Sequence, residues 1–495
     1  MASQFSLIVE IRQEECRVFC RQTEHEEALP KALVENWEGL ALPRPNSITT
    51  SRSDAPFGDE GLVVPTRESA RKGRNEMKHI VTSILGASAL AVMFGGGQAM
   101  AAGGVGCEVT HWWTSAGESA AVKVFADSYD AIDGVHWVDG AIGGSGDTAR
   151  PIILSRIMGG NPPCATQFNP GKDSDDLIAA GLMQDMSDLA AKEHWHDIVR
   201  PKSQIDGCTK DGHTYCVPVN LHSAQWLWTN LHVFKDAGLA APKNFNELVA
   251  DAPALKAKGI MPLSAAQGWP IATLLGDIEV GVGGLANWKK IYVDRDLTVA
   301  ASPEWRKVFE AMDGARKIVD PTTIVPQWND ATSLVITGKA AANVMGDWAR
   351  GEFSVAKMKA GADYDCLPGL GFAQILDTGG DVFFFPKQKD PALTDAQMKM
   401  ASMMISKPVQ VAFNLKKGSL PIRADVDLSQ ADDCMKKGLK ILEDPNNILP
   451  TGAQVMQRDT VNQIRDLYNE FFTNSAMTVD QAQASFVDIL KNAPK

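Results

Sequence analysis

Beyond residue 102, apolar and polar positions fall into short strand-like runs, each followed by a longer run with helical spacing. Glu108-Val109-Thr110-His111-Trp112-Trp113 reads as a strand, and Glu118 to Tyr129 as the helix after it. The turn Asn161-Pro162-Pro163 leads into a second strand, Cys164-Ala165-Thr166-Gln167-Phe168. Later helices announce their starts. Asn244 with Glu247, and Thr478 with Gln481, pair a capping residue with an acceptor three positions on. Ser302-Pro303 opens a run in which Trp305, Val308, Phe309, Met312 and Ile318 recur at helical spacing. This alternation predicts an α/β fold, a mostly parallel sheet with helices on both faces. At 495 residues the chain exceeds one compact core and suggests roughly two or three units.

An earlier apolar run breaks that pattern. Met77-Lys78-His79 is a short basic start, followed by Ile80 to Leu85 and Ala89 to Phe94, then Ala99-Met100-Ala101. A basic lead, an apolar centre and small residues at A-x-A spacing form a signal peptide ending near Ala101, which predicts export to the periplasm. The run is too short and too rich in glycine at its end to span a bilayer, and no later run is long enough to do so. Residues 1–76 are polar and charge-mixed, and are read as a non-native or disordered extension ahead of the natural start at Met77.

Export changes the reading of the cysteines. Of eight, Cys107, Cys164, Cys208, Cys216, Cys366 and Cys434 lie beyond Ala101, and an even number in an exported chain favours disulfides. Cys208 and Cys216 flank the Asp211-Gly212 hairpin signal and are expected to staple that loop; the other pairings stay open. Cys107 is also a minor candidate for lipid attachment. His213, and the pair His194 and His196, are candidate metal ligands without companions at suitable spacing, so no metal and no cofactor is expected.

The net charge of −12 argues against nucleic acid, which needs clustered cations. Removing the 11 Lys and Arg and 13 Asp and Glu of residues 1–101 from the chain's 48 and 60 leaves 37 and 47, still acidic.

Several segments, taken in order, resemble one family. Trp228-Thr229-Asn230 leads into Val233-Phe234-Lys235-Asp236-Ala237-Gly238-Leu239, then Asn244-Phe245-Asn246-Glu247-Leu248 and Lys258-Gly259-Ile260-Met261-Pro262-Leu263. Gly338-Lys339-Ala340-Ala341 to Gly346-Asp347-Trp348 and Phe413-Asn414-Leu415-Lys416-Lys417-Gly418-Ser419-Leu420-Pro421 follow. This order resembles the extracellular sugar-binding proteins of ABC importers, closest to their glucose-binding type. The resemblance implies a two-lobed, maltose-binding-protein-like fold (type II) with several hinge crossings. By analogy the first lobe is placed at 102–217 plus 364–406 and the second at 218–363 plus 407–495. It also implies a monomer that captures a sugar by hinge closure and serves a membrane permease.

Sugars offer apolar ring faces to aromatics and hydroxyls to carboxylates, amides and cations. Trp112, Trp113 and Glu118 fit, because they fall where the first strand ends and its helix begins. Alternation sends the two Trp to opposite faces, so one of them is also a core candidate. Gln167 and Asn169 end the second strand at spacing two and project to one side. Trp328 and Trp348 are candidates for an aromatic wall from the second lobe or for packing, and the resemblance adds Asp381 and Lys417. It departs near Pro450, where the family reads "PSxAHGM" and this chain reads Pro450-Thr451-Gly452-Ala453-Gln454-Val455-Met456. Gln454 stands in the His position and keeps hydrogen-bonding capacity without charge. The rival reading is a secreted carbohydrate-active enzyme using the same aromatics and carboxylates. No G-x-S-x-G, H-E-x-x-H or P-loop lysine supports it, and Gly143-Gly144-Ser145-Gly146 reads as a flexible rim.

Overall fold

Two sheets organise the protein. The computed structural model describes residues 104–171, 174–377, 379–450 and 452–494. They fall in one compact unit, Gly97–Lys495. The expected extension at 1–76 and the signal peptide at 77–101 lie outside the described residues.

The first sheet has five strands in the order Val135–Ala141, Val105–His111, Ala165–Phe168, Gly379–Phe384, Cys216–His222. The first three are parallel; Gly379–Phe384 runs antiparallel to both its neighbours. The second sheet has four strands, Tyr364–Pro368, Trp226–Asn230, Ala340–Val344 and Met261–Ser264, of which only the last pair is parallel. The sheets are therefore mixed rather than mostly parallel. Chain returning from the other lobe supplies the reversed strand Gly379–Phe384, and the strand pattern carries no sign of that direction.

Each sheet has its own core. In the first lobe Phe125, Phe168, Phe383 and Phe413 are fully buried together. In the second, Phe245, Phe309, Phe471 and Phe486 form one cluster and Trp228, Phe353 and Tyr364 another. The expected helix starts are present. Ser115 and Glu118 form a reciprocal capping box at the head of Ala116–Asp130, and Thr478 with Gln481 does the same for Val479–Asn492. Asn244 and Ser302 accept from Glu247 and Trp305 backbone N–H groups.

The chain leaves the first sheet after His222, returns at Gly379, and departs again after Arg423, whose neighbour Ile422 still accepts from Arg200 N–H at 2.7 Å. The outgoing and last segments lie side by side, Leu221 and Leu420 exchanging two backbone hydrogen bonds at 2.8 Å. These pairings move the lobe limits drawn from the sequence. Pro218–His222 stays with the first sheet, and Tyr364–Pro368 pairs with Trp226–Asn230 in the second. The helix Lys407–Lys417 buries Val409 and Phe413 in the first core, not the second.

Disulfides join Cys107 to Cys164, Cys208 to Cys216, and Cys366 to Cys434. Cys208–Cys216 is the loop staple expected from the hairpin signal. Among the described residues no helix is long and apolar enough to cross a membrane, and no group of three or more His, Cys, Asp or Glu is arranged to hold a metal ion. His213 instead contacts Asp185 at 2.7 Å.

Candidate functional site

Between the lobes lies a cavity of about 410 Å³. From the first lobe, Trp112, Trp113 and Glu118 reach it from the end of the first strand and the helix that follows. Trp113 is only 2% exposed, because most of its ring packs on Phe383 and Phe413 at centroid distances of 5.7 and 5.4 Å. Trp112 is less buried, and the Arg150 guanidinium lies 4.9 Å from its ring centre. The pair thus divides as alternation requires, one ring largely core and the other part-buried at the cleft.

The second lobe answers with an aromatic wall centred on Trp348. Its ring meets Trp328 edge-on at 6.4 Å, Trp269 at 6.0 Å and His222 edge-on at 5.0 Å. Gly346 permits this, since a Cβ there would overlap the Trp348 ring. Lys417 stands between the two sides. Its Nζ is 5.7 Å from both the Trp113 and Trp348 ring centres and 3.4 Å from Glu118 Oε1. The helix ending at Lys417 closes on Gly418 with φ 95°, a left-handed turn that suits glycine and brings this end against Asp347.

Asp381 is held from three directions. Gln167 Nε2 donates at 2.7 Å and Asn220 Nδ2 at 2.9 Å, while the Asp381 N–H donates to Asn220 Oδ1 at 2.7 Å. His222 Nε2 is 3.8 Å away. Gln167 also accepts from the Trp112 N–H at 3.0 Å. It is fully buried and does not line the cavity, so it supports Trp112 and Asp381 from behind. Asn169, two residues on, does reach the cavity, where it accepts from Arg150 and donates to the Gly380 carbonyl at 2.8 Å. Trp328, Trp348, Asp381 and Lys417 line the cavity as well. Gln454 belongs to the short helix Gly452–Val455, and its side chain lies outside the described residues.

Burial dominates the electrostatics. It pushes the Glu118 carboxyl up against the opposing pull of Lys417, and holds Asp347 well above the carboxylate range despite Lys417. Asp377 is pushed up to about 6 by burial, with the Ala224 N–H opposing. Burial also lowers the His222 imidazole and keeps it neutral at pH 7. His222, Trp269, Asp277 and Asp377 were not legible as site residues. Trp269 and Asp277 sit in a helix that reads as apolar core, and His222 meets its partner Asp381 from a distant part of the chain.

An ion pair spans the cleft. Asp147, on the first-lobe helix Ser145–Met158, accepts from Arg465 Nη2 at 2.7 Å, and Arg465 belongs to the second-lobe helix Arg458–Thr473. Burial raises the Asp147 carboxyl, but Arg465, Arg150 and Arg458 outweigh it and hold it below its usual value. The pair is partly exposed, so about 0.2–1 kcal/mol is expected of it. Asp147→Asn should speed ligand release up to about fivefold at low salt. The difference should disappear near 1 M salt, and a salt-independent difference in stopped-flow dissociation would contradict the assignment.

Residues 117–410 match the family described as bacterial extracellular solute-binding protein. A probable sugar-binding periplasmic protein of Mesorhizobium japonicum is 34% identical over 395 residues, covering 78% of this chain and 93% of that one. A glucose-binding protein of Saccharolobus solfataricus is 22% identical over 265 residues, covering 48% of this chain and 45% of that one. Among solved structures, maltose-bound T. maritima MalE3 matches with a TM-score of 0.62 at 18% identity, covering 78% of this chain and 99% of that one. That last likeness carries the fold, a two-lobed arrangement of the maltose-binding type.

Proposed function

Because the chain belongs to the family of bacterial extracellular solute-binding proteins, receptors rather than enzymes, we propose that it captures a sugar between its lobes. The receptor then delivers the sugar, unmodified, to the membrane permease of an ABC importer. The observation that carries this reading is the position of Lys417, equidistant at 5.7 Å from an aromatic ring of each lobe and paired with Glu118. Rings of both lobes for the apolar sugar faces and charged groups for its hydroxyls are thereby brought to one point.

In this reading Trp112, Trp113, Glu118 and Asn169 receive the ligand on the first lobe. Trp328 and Trp348 close on it from the second, with Asp381 and Lys417 beside the crossings. Gln167 positions two of these rather than touching the sugar, and Gln454 takes the place of the family's His. Hinge bending at the crossing segments brings the walls together, and the closed form is what the permease recognises. The ligand is a monosaccharide such as glucose, the receptor acts as a monomer, and export removes the chain up to about Ala101.

Truncating the central ring of the second-lobe wall tests the site. Trp348→Ala should weaken sugar binding by at least about 2 kcal/mol, roughly thirtyfold in Kd. A thermal-shift series with glucose, galactose, mannose, xylose and inositol identifies the sugar first, since a specific ligand raises Tm as its concentration passes Kd. Calorimetric Kd values for that sugar that match between the Trp348→Ala and unsubstituted chains would remove Trp348 from the site.

A further inference from the structure

The helix Trp269–Gly283 is largely apolar, yet it buries two acids, Asp277 and Glu279. Their situations differ. Glu279 accepts from the Tyr292 hydroxyl on both carboxylate oxygens, at 2.9 and 2.8 Å. Asp277, only 3% exposed, has an Oδ2 with no hydrogen-bond partner. Its strongest charged neighbour is another acid, Asp377, and burial together with that neighbour pushes its carboxyl well above the usual range. Asp277 lines the cleft, and room adjoins it: a Cβ built on Gly276 meets no atom within 4 Å.

A buried polar oxygen without a partner is costly, and native structures hold few of them without a reason. Nothing in the unliganded fold pairs this one, and the carboxyl that carries it borders the cleft, where a ligand brings hydrogen-bonding groups. We propose that Asp277 anchors the ligand from the second lobe, its carboxyl, which borders the cleft, hydrogen-bonding with sugar hydroxyls. With the Asp377 carboxyl nearby, this end of the cleft admits ligands rich in donors, neutral or amino sugars, and turns away sugar acids. The inference rests on the sugar-receptor reading and names a residue that sets its preference for neutral over acidic sugars.

The isosteric variant Asp277→Asn of the full chain, titrated calorimetrically with the best neutral sugar, tests it. Loss of one carboxyl oxygen to the ligand should raise Kd roughly two- to tenfold. The unliganded variant should melt at the same temperature as the unsubstituted chain or higher, because an unpaired buried acid has been removed. A residue that merely supports the fold gives the reverse, a lower melting temperature with unchanged Kd, and that result overturns the proposal. Without any variant, the uronic acid counterpart of the same sugar should bind at least about tenfold more weakly, and equal binding also overturns it. Trp348→Ala separates the failures. If it weakens binding while Asp277→Asn does not, this proposal falls and the receptor reading stands; if no sugar binds the unsubstituted chain, both fall.

Discussion

Replacing Lys417 with Met should abolish measurable sugar binding and lower folding stability by about 3–5 kcal/mol. Lys417 is 2% exposed, and it is the cation facing Glu118 and influencing Asp347, two carboxyls that burial already pushes up. Methionine fills the volume without the charge, so the acids must stay unpaired or take up protons. The sign follows from that choice. With Lys417 gone, the folded-state pKa values of Glu118 and Asp347 rise further above their unfolded values. Stability from their protonated forms is then present at low pH and lost as pH rises. The deficit of Lys417→Met should therefore be smaller at pH 5 than at pH 8. Chemical denaturation at both values measures it. A pH-independent deficit, or none, would show that Glu118 and Asp347 do not depend on Lys417.

The second large effect concerns covalent structure. Cys366 lies on a strand of the second sheet and Cys434 in the first turn of the helix Asp433–Leu442, 68 residues apart in sequence. Closing a loop of that length restricts the unfolded chain by about 4 kcal/mol in the chain-entropy account. The double variant Cys366→Ala, Cys434→Ala should lose about that much and melt several degrees lower. The Cys208–Cys216 loop spans a separation of 8, so its removal should cost about 2 kcal/mol less. Equal losses would mean that native packing around the sulfurs, rather than loop length, sets the contribution.

Local features were legible in the sequence wherever a single element carries them. The capping pairs at Asn244 and Thr478, the strand leading into Trp112-Trp113, and the Cys208–Cys216 staple depend on neighbours within about ten residues. Pairing across the chain was not. The strand Tyr364–Pro368 carries no mark of which sheet it joins, so the lobe limit at 364 came out too early, and Lys407–Lys417 was assigned to the wrong core. Spacing two correctly sends Gln167 and Asn169 to one side, but which of them reaches the cleft depends on Asp381, 214 residues from Gln167. Asp277 was hidden differently. Its helix is apolar enough to read as pure core, and only the fold shows that one face borders a cavity.

The lobes also touch at the head of the helix Ala116–Asp130. The Gly117 N–H donates to Glu352 Oε1 at 2.8 Å, and a Cβ on Gly117 would come within 2.6 Å of the Gly351 carbonyl carbon.

Tryptophan fluorescence during titration with neutral monosaccharides, followed by chemical analysis of the recovered sugar, tests the central claim most directly. Trp112, Trp113, Trp269, Trp328 and Trp348 line the same cleft, so ligand capture should give a saturable change with at least one sugar, which is returned unaltered. No change with any of them, or a sugar recovered chemically altered, would contradict a receptor that captures and delivers its ligand intact.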